Sequence, residues 1–194
     1  MVAIGPYTNL ALLEAARPGT LARTEVYLMG GFVDALPPGM PPLDHKMDYN
    51  VQQDAAAARI VLAACDPVVV QVSVTLETTL REAHLPRLRA GDQLAQLVAH
   101  QGEDHGKENN QQAMGRAHAA LPDGLLNFQY DPLTCAAAVG WEGLRIERVP
   151  IATRYDGRYL VYERRPDGKP TRLAVEVEGE RFERYWLDAL APAG

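Results

Sequence analysis

Apolar and polar positions along the chain fall into a strand–helix alternation through its first half. Val2–Ile4 is a short β-branched run closed by Gly5-Pro6, the pattern of a buried strand. Thr8-Asn9 then open a helix with Leu10, Leu13 and Ala16 on one face, stopped by Pro18-Gly19. Glu25–Met29 predicts a second strand, ended by Gly30-Gly31, and Asp34–Lys46 is rich in Pro and Gly and reads as loop. A helix is expected from about Val51 to Ala64, its alanines suited to close packing on a sheet. Val68–Val74 is the strongest strand signal, with the unbroken apolar character of a strand buried on both faces.

The second half is less regular. Leu80–Gln101 reads as helical with interruptions near Pro86 and Gly91, and Gly102–Gln112 as a polar surface loop or helix end. Pro132–Val139 predicts a short helix, Leu144–Thr153 and Arg172–Glu178 strands with a Gly-Arg-containing excursion between them. Phe182, Tyr185, Trp186 and Leu190 recur at helical spacing, so Glu180–Leu190 closes the chain as an amphipathic helix. The class is therefore α/β with a mainly parallel, Rossmann-like sheet flanked by helices, in one domain over residues 1–194.

Composition narrows the function. Apolar residues make up 47% of the chain, enough for a sizeable core, and a net charge of −6 with mixed signs argues against a nucleic-acid polymer as partner. No apolar run has the length of a membrane span, and no charged-then-apolar leader opens the chain. Cys65 and Cys135 lie far apart in apolar segments, so buried free thiols and a cytoplasmic setting are expected. The five histidines show no metal-ligand spacing and read as surface or supporting residues.

Candidate chemistry lies where loops leave strand ends, the usual place for sites in open α/β sheets. The segments are Gly5-Pro6-Tyr7-Thr8-Asn9, Leu28-Met29-Gly30-Gly31, Asp48-Tyr49-Asn50 and Tyr130-Asp131-Pro132-Leu133-Thr134. Each alone has a plain structural explanation: Asp131-Pro132 as a helix start, Asn50 as a helix cap, Met29 as core, Gly-Gly as loop.

In this order, across essentially the whole chain, the four segments resemble the inosine–uridine-type nucleoside hydrolases. The resemblance implies calcium-dependent hydrolysis of the N-glycosidic bond of ribonucleosides to base and ribose. It assigns Asp131 and the Thr8 carbonyl to calcium, Asn50 and Met29 to the ribose, and Asp48 to the sugar's 5′ hydroxyl. Calcium takes carboxylate and carbonyl oxygens, and a metal-bound water is easier to deprotonate.

Three departures stand out. The family's opening aspartate cluster, source of most calcium ligands and of the general base, has no counterpart in the chain. The first recognisable motif belongs well inside the family pattern, so the expectation is a C-terminal part, inactive alone, that self-associates or pairs with a chain carrying the first third. Tyr130 stands where several members have a His that protonates the leaving base, and Leu36–Leu43 lacks an asparagine often found there. The alternative is a non-catalytic nucleoside-binding or oligomerisation module. The base pocket would come from Leu76–Leu88 and Leu121–Tyr130, which offer no readable code for a base.

Overall fold

A computed structural model describes residues 1–192. In chain order the elements are β1 (Val2–Ala3), α1 (Thr8–Ala16), β2 (Tyr27–Met29), α2 (Tyr49–Gln52), α3 (Ala55–Ala64), β3 (Val68–Val70) and α4 (Val72–Thr75). Then come β4 (Thr79–Arg81), α5 (Leu85–Ala90), α6 (Gln93–Glu108), α7 (Gln111–Ala117), β5 (Leu125–Phe128), α8 (Tyr130–Ala138), β6 (Leu144–Asp156), β7 (Tyr159–Arg164), β8 (Lys169–Val177) and α9 (Gly179–Leu190).

The chain groups into two compact units, interleaved along its length. Residues 193 and 194 of the expected domain lie outside the described residues.

The first unit comprises Met1–Ala35, Leu43–Thr75 and Tyr130–Val177. Its sheet has the order β1-β2-β3-β8-β6-β7. The first four strands run parallel, and β6 pairs antiparallel with both β8 and β7. The mainly parallel α/β class is thus as expected. Val68, Val69 and Val70 are fully buried at the sheet's centre, and Leu28, Val61, Leu62, Leu160 and Leu173 share one core with Val69. The apolar run leaves the sheet at Gln71, sooner than expected. Val74 and Thr75 donate backbone N–H bonds back to the Gln71 carbonyl and close the turn of α4. Hydrophobicity alone does not separate a buried strand from a buried helical turn.

The expected helix from Val51 to Ala64 is two helices. Asp54 breaks it, because its carboxylate accepts from Ala57 N–H and starts α3 afresh. The excursion between the two late strands is β7, paired along its length with β6. At the opposite edge, β1 pairs only with β2, and Met1, Val2 and Ile4 are exposed there.

The second unit holds Leu36–Pro42, Leu76–Gln129 and the chain from Glu178 onward. The antiparallel pair β4–β5 packs with α5, α6 and α9 around Leu80, Leu85, Leu88, Leu126 and Leu187. The polar stretch from Gly102 is helix as far as Glu108. Gly102 sits against Leu80 and Gly106 against Leu126, with no room for a β-carbon at either. His84 is buried, a supporting residue and not a surface one. Its ring lies 3.7 Å from Glu183, whose carboxylate takes bonds from Thr79 N–H and hydroxyl and from Arg81. Cys65 is buried as expected, whereas Cys135 is exposed on α8. No helix among the described residues is long and apolar enough to cross a membrane.

Candidate functional site

The parallel strands β1 and β2 deliver two of the four segments to one side of the first unit's sheet. Met29 ends β2, and Gly30-Gly31 turn the chain out of it with φ of 137° and 88°. Such values favour glycine. A β-carbon on Gly30 would lie 2.7 Å from the Tyr7 hydroxyl and 3.3 Å from Asp48 Oδ1, so the chain passes close to both.

Three of the expected site residues meet at this turn. Asn50 Nδ2 donates to the Met29 carbonyl at 3.1 Å and lies 3.2 Å from its sulfur. Tyr7, fully buried, donates its hydroxyl to the same carbonyl at 2.8 Å. Asp48 accepts from Gly31 N–H at 2.6 Å and from Val51 N–H at 3.3 Å. The cap of α2 is therefore Asp48, and Asn50 is freed from capping to face Met29. The result is a ledge of buried polar groups at the end of β2.

Burial pushes the Asp48 carboxyl up to about 6, against bonds from Gly31, Val51 and Asn50 N–H that draw it down. Burial also raises Tyr7 and Tyr162 well above the usual phenol range. The Tyr162 hydroxyl is buried without a hydrogen-bond partner.

A second network holds the chain beyond the ledge. Gln71, wholly buried, accepts from Val33 and Asp34 N–H and donates to Asp34 and to the Ala174 carbonyl. Arg164 clamps Asp34 with two bonds, at 2.7 and 2.8 Å. Sequence reasoning passed over Tyr7 and Gln71. A lone Gln inside an apolar run was the available signal, since a buried amide needs partners.

The other expected residues stand apart from the ledge's hydrogen bonds. The Thr8 hydroxyl donates to Asp54 at 2.7 Å, and Thr8 is the first residue of α1. Asp131 lies in the first turn of α8, not at its cap, and is half-buried; desolvation raises its carboxyl. Tyr130 opens the same helix, and burial drives its hydroxyl well above the usual range, away from useful acidity near neutral pH. The stretches expected to form a base pocket, Leu76–Leu88 and Leu121–Tyr130, lie in the second unit except for Tyr130, which belongs to the first.

Calcium binds through six to eight oxygens, with affinity set by charged ligands. Among the described residues, no three His, Cys, Asp or Glu side chains are grouped to hold a metal. Asp48 and Asp54 are engaged with backbone N–H groups, which leaves Asp131 as the candidate carboxylate. These donors alone do not fit a calcium ion.

Solved structures with this fold include nucleoside hydrolases. A plant nucleoside hydrolase has the same fold with a TM-score of 0.77 and 19% identity, over 99% of this chain and 61% of its own. A purine-preferring ribonucleoside hydrolase from Gardnerella vaginalis gives 0.76 and 22%, over 98% and 60%. An inosine-uridine preferring nucleoside hydrolase from Bacillus anthracis gives 0.63 and 19%, over 97% and 58%. The chain thus spans about three-fifths of the length of these structures. No curated protein sequence matches it significantly. The sequence profile described as inosine-uridine preferring nucleoside hydrolase matches residues 1–184. The chain belongs to the nucleoside hydrolase family.

Proposed function

We propose that this chain supplies the ribose-holding part of a nucleoside hydrolase site, and that hydrolysis requires carboxylates from another polypeptide segment. The observation that carries the reading is the ledge at Met29, where Asn50 and Tyr7 converge on one carbonyl and Asp48 fixes the glycine turn. Asn50 keeps its carbonyl oxygen to accept a ribose O–H while its amide stays on Met29. Asp48 both braces the turn and keeps lone pairs for the sugar's 5′ hydroxyl. Met29 lines the ribose face. A ribonucleoside is the substrate class, and the cytoplasm the setting.

Calcium is the family's metal. Asp131 and the Thr8 carbonyl are the contributions this chain would make to it, and the charged remainder would come from the pairing segment. When bound, the ion would supply an acidified water and hold two vicinal hydroxyls. Alone, the chain binds nucleoside without cleaving it, which makes the non-catalytic module the second reading; what supports it is that no three His, Cys, Asp or Glu side chains among the described residues are grouped to hold a metal.

Calorimetric titration with inosine tests the ledge. Wild-type protein is expected to bind. Asn50→Ala, by leaving a sugar hydroxyl unpaired, is expected to weaken binding by about 1–3 kcal/mol. Equal affinity in the two proteins would remove Asn50 from the site.

A further inference from the structure

A cleft of about 730 Å³ opens elsewhere on the first unit, between α2, the start of α3 and the β6–β7 hairpin. Lys46, Tyr49, Gln52, Tyr155, Arg158 and Tyr159 line it. Gln52 fixes its floor by bonding the backbone of Leu160 in both directions and the His45 carbonyl. The hairpin and α2 are thus held at a set separation, and the cleft has a built shape.

Its lining is aromatic and basic. Arg89, Arg145, Arg154 and Arg164 each face a carboxylate. Lys46 and Arg158 lie over the Tyr159 ring, at 5.9 and 4.9 Å from its centre; Arg59, outside the cleft lining, lies 5.8 Å from that of Tyr155. Among the described residues, none of these three cations is in an ion pair. Tyr49 is 65% exposed, so its ring is open to a ligand. The carboxylate at the cleft wall, Asp54, is already held by the Thr8 hydroxyl and Ala57 N–H at the start of α3.

The open Tyr49 ring beside Lys46 and Arg158 suits a ligand that is planar at one end and anionic at the other. A bare phosphate would use the cations and leave the rings idle, and the volume lies in the range of small-molecule sites. We propose that this cleft binds a nucleoside monophosphate, its base against Tyr49 and its phosphate between Lys46 and Arg158. The site is separate from the ribose ledge. Asp48 and Asn50, on either side of Tyr49 in sequence, are buried, whereas Tyr49 is open to the cleft.

The test is calorimetric titration of the full chain with adenosine monophosphate, adenosine and inorganic phosphate. The monophosphate is expected to bind more tightly than either of its parts. Tyr49→Ala, and Lys46→Ala with Arg158→Ala, should each weaken it by about tenfold or more. All three side chains are exposed, so these variants should keep the wild-type melting temperature and inosine affinity. Asn50→Ala should leave monophosphate binding intact. Four results would overturn the proposal: no binding by wild type, affinity unchanged in the cation variant, phosphate binding as tightly as the nucleotide, or loss of nucleotide binding in Asn50→Ala alone. The last would place the nucleotide on the ribose ledge, so it separates failure of the cleft from failure of the ledge.

Discussion

Asp48→Asn probes the ledge through its electrostatics. The folded-state carboxyl titrates near 6 because burial disfavours the charge, against about 3.9 in the unfolded chain. A raised acid works in one direction. It contributes stability that is complete below the unfolded value and is lost as pH rises through the folded one. The gap between the two values corresponds to about 3 kcal/mol, of which about 2 kcal/mol falls between pH ~4.5 and ~7.5. Asparagine does not titrate, so its stability lacks this component. It also presents one acceptor where Gly31 and Val51 N–H need two, a pH-independent cost of about 1–3 kcal/mol. Urea denaturation of both proteins across this pH range gives the difference curve, in which every other titrating group cancels. The variant's deficit should be largest near pH ~4.5 and shrink by about 2 kcal/mol on approach to pH ~7.5. A flat difference curve would show that the Asp48 carboxyl is not buried at the end of β2.

Two further outcomes follow from the geometry. Gly30→Ala should lower the urea midpoint by an amount equivalent to about 1–3 kcal/mol, because the residue has positive φ and a β-carbon would strike the Tyr7 hydroxyl; an unchanged midpoint would refute the close approach. Light scattering should show species larger than the monomer, and Val2→Lys should reduce them, since β1 is an edge strand with exposed Val2 and Ile4 and a lysine blunts such edges; a wild-type monomer at high concentration would show that the edge does not drive association.

Much of the parallel half of the fold was legible in the sequence, and the physics says why. Val68–Val70 announces a central strand because a strand buried on both faces is apolar at every position and its residues are β-branched, although the same run continues apolar into α4. Phe182, Tyr185, Trp186 and Leu190 mark α9 because their spacing fits one helical stripe, although Tyr185 at its margin is exposed. The misses share a cause, in that burial was achieved by residues that do not look buried. The inner face of α6 uses Gly102 and Gly106, so the hydrophobicity pattern leaves loop and helix end undecided there. His84 is covered because Glu183 and Arg81 surround it, and Glu183 lies far away in the chain. At the site, the order of short motifs placed Met29, Asp48 and Asn50 together. It could not say that Asp48 turns its carboxylate onto Gly31, because that bond depends on the path of the chain after β2. Nor could it foresee the aromatic and basic cleft, whose walls come from residues 46–56 and 155–159 and meet only in the folded unit.

The central claim is that this chain carries a ribose ledge of the nucleoside hydrolase family without a calcium donor set sufficient for turnover. Base release from inosine, followed as calcium is raised from chelated to millimolar levels, tests it most directly. No calcium-dependent release by this chain alone is the predicted result. Release that rises with calcium and is lost in Asp131→Ala would contradict it, since Asp131 would then belong to a complete metal site.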